Sequence, residues 1–207
     1  MCIWVVFSLF FSTKNAHGRT WVMIFNHDID QGGYFNNFSD AMYSLNPHKY
    51  SIFQLISPDF ITDGYFEFLL EYPDVSGFNQ WRQDLLPWNN TEVNDENAKG
   101  YQGISISWNA SQWGGLVLSN NYYSATYNVS TLLDGSAGHV NWWYAIGCIN
   151  PSSLYEGFMP GPNELVKKAC LWMRIDKMEL LIPQSNINQR KRVPSIRLLF
   201  AFCSLFH

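Results

Sequence analysis

The stretch Phe66-Glu67-Phe68-Leu69-Leu70-Glu71-Tyr72 decides how the rest of the chain is read. Phe66, Phe68, Leu70 and Tyr72 fall on one side of a period of two, Glu67, Leu69 and Glu71 on the other, and Pro73-Asp74 ends the run. Extended backbone sends successive side chains to opposite faces, so this pattern spells a strand with one buried face; a helix would repeat its apolar positions every three to four residues. Glu67 and Glu71 are then expected on the exposed face. As a pair they invite comparison with the two carboxylates of a glycosidase, but alternating acids on a strand surface are common, and no enzyme is read from them.

Outward from that strand, Trp21 to Asn26 (WVMIFN) is apolar on both alternating faces, as a central strand covered on two sides would be. Ala169 to Ile175 (ACLWMRI) reads the same way, and the two are expected inside sheets and as possible neighbours. Further strands are expected at Trp81 to Leu86, over Ile104, Ile106 and Trp108, at Gly115 to Ser119, and at Trp142 to Cys148. Ser39 to Leu45 opens on a capping residue and stops before Asn46-Pro47, which predicts a two-turn helix; Ser51 to Ile56 predicts a second, ended near Pro58. The class is therefore mainly β: an antiparallel β-sandwich of about seven strands with one or two short helices near the N-terminus.

Composition narrows the function classes. The chain has 13 basic and 17 acidic residues, with several of the basic ones in its last stretch, and no Lys/Arg stripe runs through the body. Nucleic acid is excluded as a partner on that ground. Aromatic residues make up 17% and include nine tryptophans, set among Asn, Ser, Gly and Tyr, a mixture suited to a β-rich domain with polar loops.

The apolar run Ile3 to Phe11 is too short to span a bilayer but fits the core of a secretory leader, and Ala16-His17-Gly18 offers the small residues that signal peptidase requires. Residues 1–18 are expected to be a signal peptide and 19–183 a single extracellular domain. Asn37, Asn89, Asn109 and Asn128 each begin an N-x-S/T acceptor for glycosylation. Beyond Pro183 the chain turns polar, then basic at Arg190-Lys191-Arg192, then apolar at Leu198 to Phe206. That 184–207 tail lies outside the expected fold, carries no span, and is too short for a lipid-anchor signal. In the oxidising space outside the cell Cys148 and Cys170, the cysteines of the body, are expected to bond and to contribute on the order of 3 kcal/mol; two buried thiols are the alternative.

The order of motifs "WVMIFNHD", "GGYF", "YSI", "FEFLLEYPD", "QWRQ", "GYQGISI", "WGGL", "LDG", "WWYAIG", "PGP" and "CLWMRI" resembles a family of short secreted ectodomains of cnidarians and other marine invertebrates, across Trp21 to Ile175. The opening W-x-x-x-F strand and the closing strand ending in Arg also resemble fibrinogen-related lectin domains and intelectins. The paired cysteines and acidic calcium loop of those lectins are not matched, so the resemblance implies no site residues.

Three other patterns bear on chemistry. His27-Asp28-Ile29-Asp30-Gln31-Gly32-Gly33 is the best candidate for calcium, with carboxylates two apart followed by glycines, but Ser39 stands where an EF-hand needs its bidentate Glu, and the stretch reads better as a strand-ending turn. His27 reads as a half-buried strand residue. Asp134-Gly135-Ser136 with His139 places Asp, Ser and His together, yet Asp134 stands where a nucleophile elbow needs Gly, and an Asp-Gly turn accounts for it. No cofactor and no metal site is expected. The remaining candidates are stacking and hydrogen-bonding residues on loops: Trp113, Asn121, Tyr122, Tyr123 and Asn141, which together suit a shallow glycan site. The function expected is non-enzymatic, lectin-like recognition of an extracellular glycan or glycoprotein; the alternative is a structural matrix domain whose aromatics only fill the core.

Overall fold

The ten-residue strand β2 (Arg19–Asp28) organises the molecule, and its sequence explains why. Trp21, Val22, Ile24 and Phe25 are all fully buried, so both faces of the strand lie against apolar neighbours. The computed structural model describes residues 12–16, 18–89, 93–94, 97–109, 113–119, 130–136, 143–150 and 157–175, and the architecture below is theirs. Before β2 comes β1 (Thr13–Ala16); after it come two short helices, α1 (Ile29–Gly32) and α2 (Phe38–Met42), and the strands β3 (Ser44–Asn46), β4 (Lys49–Ser51), β5 (Phe66–Glu71) and β6 (Asn79–Gln83). The chain continues through β7 (Val93–Asn94), β8 (Asn97–Ala98), β9 (Gln102–Ile106), β10 (Val117–Leu118), β11 (Ser130–Asp134), β12 (Ile146–Asn150), β13 (Met159–Pro160), β14 (Leu165–Val166) and β15 (Lys168–Arg174).

Eight strands form one antiparallel sheet in the order β3-β4-β2-β15-β5-β6-β9, with β1 also pairing β2. The first long strand and the last are neighbours at its centre, from Lys168 opposite Asp28 to Arg174 opposite Trp21, as their two-faced apolarity predicts. A smaller sheet, β10-β11-β12, contributes Leu133, Ile146 and Cys148 to the same hydrophobic cluster as Phe68, Trp81 and Leu171 of the large sheet. The result is mainly β and sandwich-like, with more and shorter strands than the sequence suggests.

Within that shared core the aromatics form a string. Phe25 stacks on Phe53 at 5.5 Å between centroids, Phe53 on Trp88 at 4.3 Å, and Trp81 meets Trp113 edge to face at 4.8 Å, with Tyr144 beyond at 4.8 Å. Each such contact contributes about 0.5–1.5 kcal/mol beyond the area it buries. A bulge in β2 adjusts the sheet to this core: Leu171 faces Phe25 while Trp172 faces Met23, leaving Ile24 as the extra residue. Ile24 and Phe25 therefore both enter the core, and the strand's parity reverses beyond them, so that His27 points inward with Phe25.

Two readings of local structure change. Ser51 ends β4, and only Phe53–Leu55 curls into a single 3-10 turn, because Ile52 and Phe53 are drawn into the core beneath the sheet and a continued helix would carry them out of it. The segment Thr13–Ala16, at the end of the expected leader, is a strand here. It folds back on Arg19–Val22 through a turn in which Gly18 has φ +69°, a left-handed conformation that glycine adopts at no steric cost.

Candidate functional site

Alternation along β5 sends Phe66, Phe68 and Leu70 to the core and Glu67, Leu69 and Glu71 to the opposite, outer face of the large sheet. Register then decides what surrounds each. Arg82 of β6 lies directly opposite Glu67, and Arg174 follows Met173 of β15, which pairs directly with Phe68 of β5. Arg19 reaches in from β2. The expectation of an exposed carboxylate is corrected here: Glu67 is only 4% exposed. Its Oε1 accepts from Arg19 and from Gln80 Nε2 at 2.8 Å, and its Oε2 from Arg82 Nε at 3.1 Å and Arg174 NH1 at 3.2 Å. Four donors thus meet the carboxylate, which is how an acid is kept ionised away from water.

Farther along the same face, Glu71 takes a 2.7 Å hydrogen bond from Trp172 Nε1 and a 2.6 Å ion pair from Lys14, whose ammonium sits 4.2 Å from the Trp172 ring centre. Trp21, Leu69 and Cys170 pack beside Trp172, and Trp21 Nε1 donates to the Ala16 carbonyl at 3.1 Å. The outer face is thus a belt of charged and aromatic side chains built from β1, β2, β15, β5 and β6. None of the three arginines is near another in sequence. Only the strand order brings them together, so the absence of a basic stripe in the sequence concealed them.

The inner layer holds a second polar group. Asp134 ends β11 with its carboxylate accepting the Ser136 N–H at 2.8 Å, the Asp-Gly turn expected, and burial pushes its pKa from 3.8 up to about 7. Ser136 Oγ in turn accepts the Trp143 N–H at 3.1 Å, so both side chains tie down a turn; His139 lies outside the described residues. Gly135 is required there. A Cβ on it would sit 2.6 Å from both the Trp113 ring and Tyr144 Cβ. The Tyr72 hydroxyl is fully buried with no hydrogen-bond partner, and burial raises its pKa well above 10, with Tyr144, Cys148 and Asp134 adding to the effect.

Trp113, the anchor of the expected glycan site, is 6% exposed and packed between Trp81 and Tyr144. Its flat faces are core surface, and its N–H lies beside the Tyr101 hydroxyl without the geometry of a full hydrogen bond. The apolar neighbours supplied by Trp81 and Tyr144, absent from the local sequence, draw it inward. Asn121, Tyr122, Tyr123 and Asn141 lie outside the described residues. So does Asn128; of the other acceptor asparagines, Asn37, Asn89 and Asn109 are all exposed. Asn37 caps α2 through Oδ1, which accepts the Asp40 N–H at 3.0 Å, and leaves its Nδ2, the atom a glycan would take, unengaged by the cap.

The expected Cys148–Cys170 bond is corrected: both are free buried thiols. Cys148 points into the main core from β12, whereas Cys170 belongs to the cluster on the outer face with Trp21 and Trp172. The large sheet itself separates them, and burial pushes both thiols up to about 12. At the His27 turn, Asp28 pairs with Lys168 at 3.1 Å and caps α1, and Asp30 pairs with Lys167 at 2.9 Å, so lysines meet the two acids weighed for calcium. His27 is fully buried, not half-buried; its Nε2–H donates to the Gly33 carbonyl at 2.9 Å, and burial lowers its pKa to about 4. No helix among the described residues is long and apolar enough to cross a membrane. No protein-family model, no curated protein and no solved structure matches the chain.

Proposed function

We propose that this chain is a secreted, glycosylated recognition module that binds an extracellular glycan or glycoprotein without turning it over. The observation that carries the reading is the belt on the outer face of the large sheet. Charged side chains from five strands stand there on rigid backbone over the buried Trp21 and Trp172, all but Glu67 partly exposed and held by one another, which is the preorganisation a binding surface needs. Exposed acceptor asparagines at Asn37, Asn89 and Asn109 favour the secreted, glycosylated half of the proposal. Relative to the sequence-based expectation the site moves from the Trp113 loop to the sheet face. A second reading, a structural matrix domain, is favoured by the burial of Trp21, Trp81, Trp88, Trp113 and Trp172, all of which serve packing.

A glycan-array screen of the full chain, secreted from eukaryotic cells, separates the two. Binding confined to a related set of glycans supports the recognition module. Uniform absence of binding, with the protein folded and glycosylated, supports the structural reading instead.

A further inference from the structure

We infer that Glu71 and Trp172 on the outer sheet face form an ammonium site, filled in this chain by Lys14, whose exchangeable ligand is a glycan bearing a free amino group; this rests on the recognition reading above and names its ligand class. The fixed half of the site stands on β5 and β15, where Glu71 lies opposite Cys170 and Trp172 follows two residues along on the same face. Trp172 Nε1 donates to Glu71 Oε2 at 2.7 Å, which aims the carboxylate, and Trp21, Leu69 and Cys170 pack the indole in place. The other oxygen, Oε1, pairs with the Lys14 ammonium at 2.6 Å, and that ammonium lies 4.2 Å from the Trp172 ring centre. A carboxylate beside an aromatic face offers an organic cation both of the partners it needs, a charge to pair with and a π-surface to lie on.

The movable half is the lysine. Its strand, β1, is four residues long and among the described residues pairs with β2 alone. The Lys14 and Glu71 side chains are 25% and 32% exposed, so solvent reaches the pair. An ion pair at that exposure is weak, and the flexible four-carbon stem of a lysine can swing off the ring while its strand stays in place. A ligand ammonium then takes the same two partners. Because Glu71 accepts a hydrogen bond from the cation, one that carries N–H groups binds more tightly than a fully alkylated one. An amino sugar supplies such a cation, and acetylation of its nitrogen removes the charge.

The test uses the full chain, with glucosamine oligomers, the same oligomers N-acetylated, n-butylammonium and tetramethylammonium as probes. Lys14→Met keeps most of the stem and removes the charge, which vacates the site. It should bind glucosamine oligomers roughly fivefold more tightly than wild type, the gain from losing a tethered competitor held as strongly as a partly exposed ion pair. Lys14→Gln repeats the measurement with a polar end on the stem. Adding Glu71→Gln to Lys14→Met leaves an oxygen for the Trp172 N–H and should weaken binding roughly tenfold. At matched ionic strength n-butylammonium should raise the Tm of Lys14→Met above its value in tetramethylammonium, and the increment should vanish with Glu71→Gln. Glucosamine oligomers bound no better by either Lys14 variant than by wild type, or bound equally with and without Glu71→Gln, overturn the site, since an ion pair serving only the fold gives that result. Binding of the acetylated oligomers alone overturns the ammonium class and leaves recognition standing; an n-butylammonium increment lost with Glu71→Gln, with no glycan bound, upholds the ammonium site and removes the glycan reading.

Discussion

Two buried titratable side chains, on different strands, pull the pH dependence of stability in opposite directions. His27 has a pKa of about 4 in the fold against 6.5 for a free histidine, so between those values the unfolded chain takes a proton that the native one refuses. That contribution is present above pH 6.5 and is lost as pH falls to 4, by about 3 kcal/mol. Asp134 has a pKa of about 7 against 3.8, so the native state keeps a proton that the unfolded chain gives up. Its contribution is present below 3.8 and is lost as pH rises to 7, by about 4 kcal/mol. Between about pH 4 and 6.5 the two slopes nearly cancel. Asp134→Asn keeps an oxygen for the Ser136 N–H and removes only the titration, so its stability relative to wild type should climb with pH across that window. Chemical denaturation at pH 4.5, 5.5 and 6.5 reads this directly; a variant whose midpoint keeps a constant offset from wild type at all three would show that Asp134 is already ionised in the fold.

Among the elements, β1 is the one whose role was least visible beforehand. Thr13–Ala16 reads as the polar end of a leader, because its only outward signals are a charge and small residues. Its worth is in what it touches: Lys14 reaches Glu71 and the Trp172 face, Ala16 receives the Trp21 N–H, and the Ser12 carbonyl receives the Met23 N–H at 2.9 Å. If the chain is exported as proposed, mass spectrometry of the exported protein is expected to find Lys14 in its N-terminal peptide, and Lys14→Ala to lower stability by about 1 kcal/mol, the scale of a partly exposed ion pair with a cation–π contact. A mature chain beginning at Arg19 would confine the hairpin to the precursor. The same contrast runs through the other elements. β5 was legible because one of its faces is uniformly apolar, and β2 and β15 because both are. β11 was not: Ser130-Thr131-Leu132-Leu133-Asp134 lacks alternation, since Thr131 is buried by hydrogen bonds from its hydroxyl to the Leu133 and Ile146 carbonyls, which a period-based reading counts as polar. The arginine cluster was invisible for a further reason, that strand order and not spacing assembles it.

At the scale of the molecule, the decisive feature is that β15 lies between β2 and β5, with a partner on each side. Contacts this distant in sequence make folding slow, on the order of milliseconds to seconds for a sheet of this kind. A chain stopped after Val166 should lose all fixed tertiary structure and not merely a terminal strand, since its removal splits the large sheet and opens the core between Phe25 and Phe68. Near-ultraviolet circular dichroism of the truncated chain checks this: a retained aromatic signal would show that β2 and β5 close on each other without it. The position of β15 also sets the timetable of biosynthesis. At about 5–20 residues per second, β2 waits on the order of ten seconds after leaving the ribosome before its central partner is made. Throughout that interval two apolar strands stand with open edges, the condition in which chains adhere to one another. The yield of this protein should therefore respond more sharply to chaperone supply during synthesis than to the stability of the finished fold.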